Sequence, residues 1–196
     1  MRIRDENKEQ AICDKAIEII VKQGFDGLSM QKLAKAAGVS PATIYIYFKD
    51  REDLILQVCM RESQKMIEAT FKDFDPQMSL AEGMRVQWKN RAAYWIQNPL
   101  SAQFLEQAKH TPYGEKAFLF TKKEFSQAMG AFTKRAIQNG EIVKLSTEVF
   151  WAVAFAPLYT LIKFHLSGKG IHAETFVLED KTLYQALDLV LKALKP

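Results

Sequence analysis

Residues 29–48, SMQKLAKAAGVSPATIYIYF, read as two short helices joined by a tight turn. Ser29 is placed to cap the first helix, whose inward face is Leu33, Ala34 and Ala37. Gly38 supplies the positive φ that a sharp helix exit requires. Val39 fills the corner between the helices. Ser40 is placed to cap the second helix, and Pro41 sits in its first turn, where a missing N–H costs nothing. Ala34, four residues before Gly38, is small enough for the second helix to cross close over the first. This is the spacing of a helix-turn-helix, which lays its second helix in the major groove of DNA.

The same periodicity sorts the side chains. With Ile44 and Phe48 turned inward, Thr43 and Tyr45 point outward, each with a hydroxyl for a phosphate oxygen or a base edge. Ser40, Pro41 and Ala42 form the tip, and the last two offer apolar surface to a thymine methyl. Gln31, in the first turn of the first helix, can hydrogen-bond a base edge. Tyr47 can reach the sugar-phosphate backbone while its ring packs. Lys49 and Arg51 flank the start of the next helix, where their charges and free N–H groups would hold a phosphate. Lys32 reads as a solvated charge that could add to them. Arg2 and Arg4 could reach a minor groove, although Asp5 and Glu6 adjoin them.

The surroundings extend the motif into a longer pattern. The run AICDKAIEIIVKQGFDGLSMQKLAKAAGVSPATIYIYFKDREDLI resembles the N-terminal domain of the TetR family of bacterial transcriptional regulators. The matching features are the turn of residues 24–27 (GFDG), the Leu33-Ala34 pair, the corner of residues 37–40 (AGVS), the helix of residues 43–48 (TIYIYF) and the entry of residues 49–54 (KDREDL). Many relatives carry Arg where this chain has Gln31, which weakens the expectation of a guanine contact there. The resemblance is specific over about residues 8–60. Beyond that it extends only to an all-helical layout. It implies a homodimer that pairs through its last two helices and encloses a small-molecule effector in its C-terminal part.

Composition agrees with a helical protein that has a sizeable core. The chain has 196 residues, 48% of them hydrophobic. No apolar run free of charge reaches the ~18–20 residues that a membrane span needs, and the start MRIRDENKEQ has no apolar signal region. A cytoplasmic protein with no membrane association is expected. Cys13 and Cys59 fall on apolar helical faces and read as buried thiols in a reducing compartment. Three histidines and two cysteines show no metal-ligand spacing, so neither metal nor cofactor is expected. The net charge is +4. Residues 1–53 hold nine Lys/Arg and nine Asp/Glu, yet residues 28–49 hold Lys32, Lys35 and Lys49 and no acid. A local positive face therefore sits within a neutral domain, and non-specific DNA affinity should be modest.

Apolar spacing of period 3.6 dominates the chain, which predicts an all-α fold of about nine helices. These cover about residues 5–23, the two of the motif, 50–74, 79–97, 100–109, 113–138, 147–166 and 173–194. Residues 1–49 form a three-helix helix-turn-helix DNA-binding domain. Residues 50–196 form an effector-binding and dimerisation domain, and helix 50–74 links the two. Helix 147–166 is apolar nearly all round, so a second subunit should cover part of it. Leu183, Leu187, Val190 and Leu194 form a narrow stripe suited to a four-helix bundle across a two-fold axis. Pro157 removes one backbone bond from helix 147–166 and can kink it.

Most of the large rings past residue 75 must be core. Trp88, Trp95, Phe125, Trp151, Phe155 and Tyr159 are the best candidates to line an effector pocket, and such a lining suits a flat or lipophilic ligand. His165 reads as a satisfied interface histidine. The sequence therefore points to a ligand-responsive DNA-binding homodimer, in most relatives a repressor. Its alternative is a DNA-bound adaptor whose C-terminal domain grips a protein partner. No Gly-rich phosphate loop, nucleophile elbow, HExxH or catalytic carboxylate pair supports an enzyme.

Overall fold

A computed structural model of the chain describes residues 5–172 and 174–196. Among them lie ten α-helices: α1 (Glu6–Gln23), α2 (Met30–Ala37), α3 (Pro41–Tyr47), α4 (Arg51–Phe71), α5 (Leu80–Gln97), α6 (Pro99–Ala108), α7 (Pro112–Gln138), α8 (Thr147–Ala154), α9 (Ala156–Ser167) and α10 (Asp180–Leu194). The all-α expectation holds, with ten helices where about nine were expected. The extra one comes from a break at Phe155, which splits the expected helix 147–166 into α8 and α9 at a bend of 40°. Pro157 sits in the first turn of α9 and brings no N–H to the ladder. At the break, the Ala154 carbonyl accepts the Trp88 Nε1–H at 2.9 Å.

The last helix begins at Asp180, not near residue 173 as its periodicity suggested. Gly168 is left-handed, an isolated antiparallel bridge joins Lys169 to Thr175, and the Phe176 N–H returns to the Gly168 carbonyl at 3.2 Å. Thr175, Phe176 and Val177 are β-branched or aromatic and favour this extended return over a helical turn. No single helix among the described residues is long and apolar enough to cross a membrane.

By its contacts the chain divides into two units, Met1–Lys65 with Leu100–Lys122, and Met66–Pro99 with Lys123–Pro196. The core of the first joins Ile12, Ala16 and Ile20 of α1, Leu33 and Ala34 of α2, Ile44 of α3, and Leu54, Ile55 and Val58 of α4. Phe104 and Ala108 of α6 and Ala117 of α7 complete it, so this unit draws on residues well beyond 49. Both cysteines are buried here as free thiols. Burial in apolar surroundings pushes Cys13 up to about 11 and Cys59 up to about 12.

The second unit packs Leu80, Met84 and Trp88 of α5 against Phe132 of α7, Phe150 of α8, Leu158 of α9 and the face of α10. Gly83 lets α5 approach α7, since a Cβ there would overlap the Phe132 ring. Leu183, Leu187, Val190 and Leu194 are all buried in this core. The stripe expected to face a second subunit is therefore filled from within the chain. The large apolar side chains that α8, α9 and α10 leave exposed are Val149, Leu166 and Leu189.

Candidate nucleic-acid interface

The helix-turn-helix is built as its sequence suggests. Ser29 Oγ accepts the Lys32 N–H at 3.2 Å and caps α2. The helix ends in left-handed Gly38, from which the Val39 N–H returns to the Ala34 carbonyl at 3.0 Å. Ser40 Oγ accepts the Thr43 N–H at 3.2 Å and Pro41 opens α3. Ile44, Tyr47 and Phe48 are buried beneath the helix.

The outer face of α3 carries Ala42, Tyr45 and Ile46, which lie at i, i+3 and i+4. Tyr45 is 54% exposed and Ile46 49%. Ile46 was not among the candidates, although the periodicity that turns Ile44 inward turns it outward. Pro41, Gln31, Lys35 and the side chain of Lys49 are also exposed. Thr43 is half-buried, and its hydroxyl lies 2.9 Å from that of Ser40. Only one of two paired hydroxyls can donate to the other, so the pair keeps one O–H for an outside acceptor.

Three candidates have other tasks. Tyr47 is 7% exposed, and its hydroxyl accepts the Asp5 N–H at 3.3 Å, next to the caps of α1. Its ring belongs to the core rather than to the outer face. Arg51 turns back into its own unit. Its Nε–H reaches the Leu28 carbonyl at 2.8 Å, one Nη reaches the Phe25 carbonyl, and the other pairs with Glu52 at 2.7 Å. Lys32 closes the same turn, through Gln23 and the Gly27 carbonyl. Two N–H groups at the start of α4 are already taken. Asp50 accepts the Asp53 N–H and Asp53 accepts the Lys49 N–H, both at 2.8 Å. Carboxylates of the chain itself thus hold two of the N–H groups expected to meet an anion. Arg2 and Arg4 lie outside the described residues.

In the second unit, a cavity of about 210 Å³ is lined by α7 and α8, among others by Phe125, Met129, Ile137, Phe150 and Trp151. Of the ring candidates, Phe125 and Trp151 line it, 5.5 Å apart. Trp88 and Phe155 are fully buried core. Trp95 and Tyr159 pack edge to face at 6.1 Å and belong to a separate cluster around Arg91. Arg91 is 2% exposed. It donates to Tyr159 Oη and to Gln87 Oε1, both at 2.9 Å, and its guanidinium carbon lies 4.7 Å from the Phe155 ring and 5.3 Å from the Trp151 ring. Each ring contact returns about 0.5–2 kcal/mol. A buried charge costs several kcal/mol when no opposite charge meets it. No carboxylate lies within ion-pair distance of Arg91 among the described residues. His165 Nδ1 accepts the Leu178 N–H at 3.1 Å and is thus satisfied within the chain.

The description "Bacterial regulatory proteins, tetR family" matches residues 12–58. An HTH-type transcriptional regulator of Haemophilus influenzae is 35% identical over 94 residues, 48% of this chain and 50% of that protein. The chain thus spans about half the length of that curated relative. Among solved structures, a TetR family transcription regulator from Marinobacter aquaeolei superposes over 100% of this chain and 99% of its own, with a TM-score of 0.85 and 27% identity. The Bacillus subtilis regulator FadR, solved in complex with stearoyl-CoA, superposes over 93% of this chain and 95% of its own. Its TM-score is 0.67 and its identity 20%, a likeness of fold alone.

Proposed function

We propose that this chain, a TetR-family regulator by its likeness over residues 12–58 and by its fold, binds a palindromic DNA operator as a homodimer and releases it when a small, largely apolar ligand enters the second unit. Its family is one of regulators, not of enzymes. The observation that carries the DNA reading is the outer face of α3, where Ala42, Tyr45 and Ile46 stand exposed above a fully packed floor. A regulator of this kind works in the cytoplasm, where its DNA is. Pro41, Ala42 and Ile46 meet thymine methyls, Tyr45 and the Ser40–Thr43 pair supply hydroxyls, and Gln31 reads a base edge. Lys35 and Lys49 supply phosphate contact. Tyr47 and Arg51 support the reading head from beneath.

Two such heads would meet successive major grooves about 34–36 Å apart. Dimerisation through α9 and α10 would use the surface around Leu166 and Leu189, since the inner stripe of α10 is occupied. A ligand would act through α4, which runs from one unit into the other. A coupling of about 1–3 kcal/mol suffices to weaken operator binding 5- to 150-fold. Fluorescence anisotropy on a selected duplex, with and without a panel of neutral apolar compounds, tests this reading. Release by at least one compound is expected. Indifference to all of them would favour the adaptor reading, which the exposed Phe118, Leu119 and Phe120 on α7 support as a protein-docking patch.

A further inference from the structure

The second unit holds a buried cation, Arg91, that no carboxylate among the described residues neutralises. Arg91 and Gln87 stand four residues apart on the inner face of α5, and Trp95 lies four further on. Gln87 Nε2 donates to the Thr70 carbonyl at 3.2 Å, so its oxygen is turned toward Arg91. Tyr159 gives Arg91 a second neutral acceptor. Both partners are uncharged, and the Arg91 Nε–H donates to nothing. The Trp95 Nε1–H and Thr70 Oγ1 of the same cluster are likewise without a partner. Buried polar groups almost always find one. The unspent Arg91 donor and its charge lie beside Trp151, whose indole is also a wall of the cavity.

We propose that Arg91 is the counter-charge for a carboxylate on the effector, whose apolar body occupies the cavity lined by Phe125, Met129, Ile137 and Trp151. The Nε–H of a guanidinium and its neighbouring Nη–H form a planar edge that a carboxylate meets with both oxygens. The Trp151 ring lines the cavity and also lies 5.3 Å from the guanidinium carbon, so the assignment requires this one side chain to turn aside for the carboxylate. A cavity of about 150 Å³ accepts benzene, so about 210 Å³ suits one ring or a short chain. This assignment rests on the effector reading of the second unit and narrows it to organic acids.

The test compares acids with amides of the same shape on the full-length protein: benzoate against benzamide, and octanoate against octanamide, by titration calorimetry. The unaltered protein should bind an acid at least about tenfold more tightly than its amide. Arg91→Met should erase that preference, and Arg91→Lys should keep part of it. If Arg91→Met fails to fold, the acid–amide comparison on the unaltered protein decides alone. Equal affinity for acid and amide overturns the carboxylate and leaves an apolar effector standing. Failure of all four probes to bind also overturns it, while the effector reading is judged separately by the neutral compounds that release DNA.

Discussion

Arg51 donates its Nε–H to the Leu28 carbonyl at 2.8 Å, across 23 residues of chain. With its bond to Phe25, this ties the first turn of α4 to the turn that precedes the helix-turn-helix. A residue that looks like a phosphate ligand in the sequence is thus a brace for the reading head. Arg51→Met should cost about 1.5–3 kcal/mol of stability, read by urea unfolding, and leave the salt dependence of DNA binding unchanged. Lys49→Ala should do the reverse. Stability should hold, while the slope of log affinity against log salt falls by about one.

Tyr45 and Tyr47 are two residues apart and stand on opposite sides of α3. Tyr45→Ala should weaken operator binding about 5- to 150-fold and change stability by less than about 0.5 kcal/mol. Tyr47→Ala should lower the unfolding midpoint first, because it leaves a hole in the core of the first unit. Anisotropy and thermal unfolding on the same samples separate the two.

Gly83→Ala places a methyl group against the Phe132 ring, between α5 and α7. It should destabilise by about 1–3 kcal/mol through overpacking. Phe132→Leu in the same chain should recover part of the loss, which a double-mutant cycle measures.

The buried thiols set a pH signature. Cys13 and Cys59 are raised to about 11 and about 12 from an ordinary value of 9.0, chiefly by desolvation. In the pH range below that ordinary value both states keep their protons and the contribution to stability is whole. Above it the unfolded chain loses protons that the native chain retains, so stability falls as pH rises toward the native values. Urea unfolding across that window should show a smaller fall in Cys59→Ala than in the parent. A thiol-specific disulfide reagent at neutral pH should react with the denatured chain and leave the native one untouched.

The helix-turn-helix was legible because it is built from local signals. Ser29, Gly38, Ser40 and Pro41 each act on their own neighbours, and the structure uses all four as read. The bonds that Arg51, Lys32 and Tyr47 make within the chain were not legible, because their partners lie far away in sequence or are backbone groups, which leave no mark in residue type. The break at Phe155 was half legible: Pro157 marked where the ladder fails, but the Trp88 bond that takes up the Ala154 carbonyl is a tertiary event. The stripe of α10 was seen correctly as apolar, yet periodicity cannot say whether a helix faces its own chain or another. Gln87 and Arg91 carried a signal that went unused. They fall in phase with Leu80, Met84 and Trp88, so they are polar residues on an inward face.

The central claim is that the exposed face of α3 reads a DNA duplex. Selection of the full-length protein on a random-sequence duplex library, at low salt, tests it most directly. The account predicts enrichment of a palindrome whose half-sites lie about one helical turn apart, bound by the parent and lost by Tyr45→Ala. A library that emerges without sequence enrichment, or a palindrome that Tyr45→Ala binds as tightly as the parent, would contradict it.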